Sequence, residues 1–213
     1  MFCKCPAATA LTSIPAVACS ESFGQIQKVM FQRLVAGDNT LNTIDNDDCN
    51  TIATWNALIA AADGTKIVVS PYIQAPTNEA NSPRTFGGGN DTLGGIEIIV
   101  GREPSTFTAV MRGVPQSVIK VMKELECEAQ AGNLGVYLID ENGKIEGIKV
   151  KSGASETYIW TPIPIRSLFI SDKSHGGLEA PDSNNIQWAF PPNYSDDLAI
   201  MDITSFNALN LGN

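Results

Sequence analysis

The chain has 213 residues, 43% of them apolar, enough for one large domain or two small ones with a real core. Only 17% are charged, against about 25% in an ordinary soluble domain. Asn, Thr, Ser, Gly and Ala fill the deficit, and a neutral polar surface suits burial against other protein. Fourteen basic residues against 23 acidic ones leave −9 with no block of Lys or Arg, which argues against a grip on nucleic acid, because that needs cations on phosphates.

Residues 1–22 show no clean period and read as an extended arm. Three of the five cysteines, Cys3, Cys5 and Cys19, fall there; Cys49 and Cys127 follow. An odd, uneven set is not a secreted disulfide framework, and Cys3-x-Cys5 has the wrong spacing for a zinc knuckle. Ala16-Val17-Ala18-Cys19 faintly resembles a lipoprotein cleavage box. The stretch before it is short and broken by Pro6 and Pro15, which makes a poor signal peptide. No run approaches the ~20 apolar residues of a membrane span.

Residues 26–34 (IQKVMFQRL) read as a strand. Asp45, Asn46, Asp47 and Asp48 crowd the next polar stretch. They lack the glycine and distal Glu of a calcium loop, so a turn and helix cap is the simpler reading. Residues 51–62 (TIATWNALIAAA) form a helix with Ile52, Trp55, Leu58 and Ile59 on one stripe. Asn50 is placed to cap it and Asp63-Gly64 to end it. Residues 66–73 (KIVVSPYI) read as a strand that Pro71 confines to an edge or bulge.

Residues 75–95 carry Pro76, Pro83, Gly87-Gly88-Gly89 and Gly94-Gly95 without a period, as a long functional or interacting loop would. The glycines are not followed by Lys-Ser/Thr, so a phosphate loop fails. Residues 95–101 (GIEIIVG) and 105–112 (STFTAVMR), separated by Arg102-Glu103-Pro104, read as a hairpin. Residues 115–131 are the best helix. Val114, Val118, Val121, Met122, Leu125 and Ala129 make its stripe, Lys120 pairs with Glu124, and Gly132 closes it. Residues 134–140 and 144–150 read as a hairpin about Asn142-Gly143. Strands follow at 158–161, 163–171, 185–190 and 198–203. The fold class is mainly β (α+β): an antiparallel β-sandwich or barrel with one flanking amphipathic helix and one additional short helix.

The chemistry of catalysis is thin. His175 is the only histidine and sits in a turn-like polar stretch. The nucleophile elbow, the metalloprotease helix and the dinucleotide fingerprint are all missing from the sequence. A carboxylate pair for glycoside hydrolysis stays open, but the acids are scattered through loops without aromatics to bind sugar. The chain reads as a non-enzyme with no catalytic residue, metal or cofactor.

The order of elements carries a resemblance. A Gly-Ile-Glu-Ile-Ile segment (95–99) follows the long loop. Next come a strand with Phe107 and Ala109 ending in Arg112-Gly113, one amphipathic helix, and a Gly-x-Tyr-Leu-Ile-Asp-x-Asn-Gly-Lys-Ile hairpin (135–145). This is similar to the major tail tube proteins of long-tailed bacteriophages, over roughly residues 23–205; the helix at 51–62 departs from that pattern. The resemblance implies a β-sandwich or small barrel whose copies form rings, usually hexameric, stacked into a hollow tube for the genome. It implies a virion location and partners that are further copies and other tail or neck proteins. DNA would pass without specific binding, and no membrane is involved. The expected organisation is an arm (1–22), a single β-rich domain (23–205) and a C-terminal tail (206–213). The long loop would contact neighbouring subunits through Thr85, Phe86, Gly87, Gly88, Gly89, Asn90, Asp91, Thr92, Leu93, Gly94 and Gly95. Two other readings stay open: another virion part (head decoration, connector or capsid), and a bacterial surface adhesin or lipoprotein anchored at Cys19.

Overall fold

The computed structural model describes residues 13–17, 22–152, 157–201 and 203–212. In chain order the elements are β1 (Ile26–Arg33), β2 (Ile44–Asp45), α1 (Ile52–Ala60), β3 (Ile67–Val69), β4 (Gln74–Glu79), β5 (Pro83–Phe86), β6 (Ile98–Arg102), β7 (Ser105–Arg112) and α2 (Gln116–Gln130). Then come β8 (Leu134–Asp140), β9 (Ile145–Lys151), β10 (Tyr158–Thr161), β11 (Ile163–Ile170), β12 (Ser183–Phe190) and β13 (Leu198–Ile200). By contacts the described chain divides into a larger unit, Phe23–Asn81 with Glu103 onward, and a smaller one that includes Ser82–Arg102.

The larger unit is organised by β8. Its sequence, LGVYLID, has no polar face until Asp140, and all seven residues are buried. One edge pairs antiparallel with β1 along the whole strand, from Arg33 opposite Leu134 to Ile26 opposite Asp140. The other edge is shared: Leu134, Gly135 and Val136 pair with β11, while Leu138 and Ile139 pair with β9. From that fork one wing continues through β9 to β10, β2 and β13, and the other through β11 to β12, β7 and β4. β11 serves both β8 and β12 by bending at a bulge, where Ser167 takes φ 55°.

Alternation sends the side chains of β8 and β1 into two cores. Leu134, Val136 and Leu138 join Val29 and Phe31 in the first core, which β7, β11, β12 and α2 complete. There the Trp188 ring stacks on Phe107 at 4.1 Å and meets Phe31 and Phe190 edge-on. Tyr137 and Ile139 join Met30 in the second core with Trp55 of α1, Ile67, Ile145, Trp160 and Met201. Trp55 meets Tyr137 edge-on at 5.5 Å and donates to the Cys49 carbonyl at 2.9 Å. The last residues close this core: Ala208 and Leu211 are buried, and Lys28 Nζ donates to the Leu209 carbonyl at 2.8 Å. Burial pulls the Lys28 ammonium below its ordinary pKa.

The fold class is the mainly β antiparallel sandwich read from the sequence, with α2 flanking it and α1 as the additional helix. Several local expectations need correction. The segment expected to be irregular, 75–95, contains β4 and β5. The hairpin expected between 95–101 and 105–112 does not form: β6 pairs with β5, and β7 pairs with β4 and β12. Ladder hydrogen bonds alone define β4 (QAPTNE), because it is an almost wholly exposed edge strand with no alternation to read. β3 stops at Val69, ahead of Pro71, which has no N–H to offer.

Four of the six residues expected on the α2 stripe meet the core, Met122 and Ala129 buried and Val114 and Leu125 half-buried against it, while Val118 and Val121 are exposed and Ile119, not expected there, is buried. The helix packs on β11 and β8, and its Glu126 accepts from the Ile170 N–H at 2.9 Å. Its ion pairs are Lys123 with Asp172 and Glu128 with Arg33, in place of the expected Lys120–Glu124 pair. Its end is a Schellman motif: Gly132, at φ 74°, donates to Ala129, and Asn133 donates to Glu128. Ile52 of α1 is exposed, and Asn50 does not cap that helix. The Asn50 carboxamide oxygen instead accepts from the Thr204 and Ser205 N–H groups, tying the C-terminal segment to the helix start. Cys49 is buried and Cys127 exposed, both as free thiols; Cys3, Cys5, Cys19 and most of the expected arm lie outside the described residues.

The β8–β9 turn has a loop of three residues, Glu141 to Gly143, in which Gly143 N–H donates to the Asp140 carbonyl at 3.0 Å. The fully buried Asp140 carboxylate anchors it. One oxygen accepts from the N–H groups of Asn142 (2.9 Å) and Lys144 (2.8 Å), the other from Gly24 N–H (3.1 Å) and the Asn142 amide (3.2 Å). Removing the acceptor strands several partly buried donors, each worth about 1–3 kcal/mol if unsatisfied. Asp140→Ala is therefore expected to lose about 2–4 kcal/mol, and Asp140→Asn, which keeps one acceptor oxygen, to lose less. Urea denaturation checks both through the midpoint, with an unchanged slope.

Candidate functional site

The smaller unit is built on a two-stranded sheet. β5 (PRTF) and β6 (IIVGR) pair antiparallel, with Pro83 opposite Arg102, Arg84 opposite Gly101, Thr85 opposite Ile99 and Phe86 opposite Ile98. A bulge at Val100 separates the last two pairs from the first two.

Between β5 and β6 the chain is held by its own hydrogen bonds. Thr92 is the hub: its hydroxyl accepts from Gly88 N–H at 3.3 Å and donates to the Ile96 carbonyl at 2.6 Å. Asp91 N–H donates to the Gly88 carbonyl, and Gly95 N–H to the Thr92 carbonyl, closing a short 3-10 turn at Leu93–Gly95. Gly87 is demanded twice. Its φ is 89°, and a Cβ there would lie 2.1 Å from the Thr92 methyl.

The residues expected to form the subunit contact therefore lie together on this element. Thr85 and Phe86 end β5, Gly87, Gly88, Gly89, Asn90, Asp91 and Thr92 make the turn, and Leu93, Gly94 and Gly95 the 3-10 turn. Large apolar side chains on it are open to solvent: Phe86 61%, Ile96 66%, Ile99 67% and Val100 56% exposed. The last three were missed. The run Ile-Glu-Ile-Ile-Val is as good a sequence for a buried strand as for an uncovered one, and only the pairing partner tells them apart. Arg84 and Arg102 are the only charged side chains of the two strands.

The other candidate residues hold structural positions. His175 is 80% exposed, with Nδ1 3.3 Å from an Asp182 oxygen, in a loop where Lys173 meets the same carboxylate at 3.6 Å. The Asp45–Asp48 stretch is a turn: Asp48 and Cys49 N–H donate to the Asp45 carbonyl, and Asn46 accepts from the Trp160 indole at 3.1 Å. Among the described residues no group of three or more His, Cys, Asp or Glu has the geometry to hold a metal ion. Among the described residues no helix is long and apolar enough to cross a membrane. Burial pushes the Tyr137 phenol above its ordinary range, and the hydrogen bond from Lys123 holds the Asp172 carboxyl below its usual one.

No family model and no curated protein matches the chain. Two solved structures resemble it distantly. A chain from the tail of an empty GTA particle with C6 symmetry shares 12% identity at a TM-score of 0.31, covering 63% of this chain and 87% of that one. A chain from the six-fold symmetrised baseplate of the anti-feeding prophage shares 8% at 0.34, covering 91% and 99%. At these scores the likeness carries no argument about the role of this chain.

Thr92→Ala deletes the hub hydroxyl. Amide hydrogen exchange across residues 88–96 is expected to accelerate at least tenfold. The unfolding free energy from urea denaturation should stay within about 0.5 kcal/mol of the parent, because the larger unit is untouched.

Proposed function

We propose that the chain is a structural virion protein, a tail tube subunit whose copies self-assemble into stacked hexameric rings and form a conduit for genome delivery. The observation that carries this reading is the uncovered hairpin. A lone two-stranded ribbon is marginal in water, and contiguous exposed apolar side chains mark a protein contact. Phe86, opposite Ile98, and Ile99, opposite Thr85, leave apolar side chains open on both faces of this ribbon, with Ile96 and Val100 exposed as well, so the residues from Thr85 to Gly95 are assigned to the contact between subunits. The resemblance in element order supports the tube, and so does the charge. A conduit must not bind phosphate, and a net charge of −9 repels it. In this reading the arm 1–22 precedes the single domain 23–205, and the tail 206–213 packs back onto it through Ala208 and Leu211. The partners are further copies and other tail or neck proteins.

The magnitudes favour a closed assembly over a pair. Covering the four side chains is worth roughly 1.5 kcal/mol each, about 6 in all, while association costs about 4–15 kcal/mol. One contact is weak, and a ring in which every copy makes two is far stronger. Deleting residues 86–90 is expected to leave a folded monomer that no longer polymerises. Electron micrographs of that variant still showing tubes would overturn the interface assignment, and closed shells from the parent chain would point to a different virion part.

A further inference from the structure

We propose that Asn142 is a latent deamidation site, held unreactive by Asp140, and that its conversion releases the C-terminal segment from the second core. Asn142-Gly143 is the one Asn-Gly pair in the chain. In such a pair the glycine nitrogen, with no side chain beside it, attacks the asparagine Cγ. The Cγ–Nδ2 bond breaks, ammonia leaves with the proton given up by the Gly143 nitrogen, and a succinimide remains. Water then opens the ring at either carbonyl, giving aspartate or isoaspartate. Nothing is oxidised or reduced, and water is the sole co-reactant. Asn142 is exposed, so water reaches it.

Asp140 holds both reacting groups. Its carbonyl accepts from Gly143 N–H at 3.0 Å, which engages the attacking nitrogen. Its carboxylate accepts from the leaving amide, Asn142 Nδ2, at 3.2 Å. Ring closure must break the first bond and turn the Asn142 side chain away from the second. The carboxylate is itself fully buried and fixed by the N–H groups of Gly24 at 3.1 Å and Lys144 at 2.8 Å. The turn therefore has to open before Asn142 reacts, and local opening is costly in a satisfied, buried network.

The product does not fit the place the amide leaves. A carboxylate at 142 stands where a donor stood, against the buried Asp140 carboxylate, and like charges repel there. Isoaspartate also lengthens the main chain by a methylene. The far side of the turn has no slack for it. A Cβ on Gly143 would lie 2.1 Å from Asn207 Oδ1, and Ala208 N–H donates to the Gly143 carbonyl at 3.2 Å. Ala208 and Leu211 are the residues with which the last segment closes the second core, so the turn and that cover loosen together.

Peptide mass spectrometry of the full-length protein, aged in mildly alkaline buffer both folded and in urea, tests this. Conversion at Asn142 is expected to be at least tenfold slower in the folded parent than in urea. In folded Asp140→Asn it should be several times faster than in the folded parent. Asn142→Asp supplies the aspartate product directly, and amide exchange of residues 203–212 should accelerate at least tenfold in it while that of β7 and β12 is unchanged. Equal conversion in the folded parent and in urea overturns the latent site, and a folded Asp140→Asn that ages at the parent rate overturns the guard. Unchanged exchange at 203–212 in Asn142→Asp overturns the release.

Discussion

The fold hangs on one strand being buried on both faces. β8 has apolar side chains pointing both ways, so it must be covered twice, and each cover is a separate core. Such strands usually belong to parallel sheets sheathed in helices. Here every pairing is antiparallel, and the second cover is assembled from α1, β13 and the last residues of the chain. The fork on the free edge of β8 follows from the same demand. Two wings that curl to opposite faces cannot both pair along its full length, so β11 and β9 divide it.

That arrangement leaves the larger unit closed by its own residues. Asp140 and Asn50 are satisfied and Lys28 donates to the Leu209 carbonyl, while the Tyr137 hydroxyl and the Trp188 indole N–H are buried in the two cores without a hydrogen-bond partner. The low charge of the chain is therefore not explained by a larger core. Neutral polar side chains instead stand uncovered on the outer faces of β7 and β12, at Thr106, Thr108, Asn185 and Gln187.

The sequence made the strong elements legible because their burial is one-sided or total. β1, β7, β8, β12 and α2 announce themselves by period or by unbroken apolar runs. Elements defined by hydrogen bonds alone were not legible: QAPTNE carries no pattern, so β4 was hidden, and with it the partner of β7. The α2 stripe was right at Val114, Met122, Leu125 and Ala129 but took in the exposed Val118 and Val121 and missed Ile119. A period counts apolar residues and cannot say which of two adjacent stripes the sheet will cover. The glycine-rich segment was legible as an unusual loop, but its company was not. Ile96, Ile99 and Val100 joined it only once β6 was seen to pair with β5.

The central claim is that a chain with two closed cores keeps an apolar ribbon for contact with its own kind. Sedimentation velocity of the intact protein over a hundredfold range of concentration tests it most directly. The account predicts a jump from monomer to large symmetric assemblies, with little dimer between, because a single contact is weak and a closed ring is not. A monodisperse monomer throughout the range, with the ribbon still open to solvent, would contradict it.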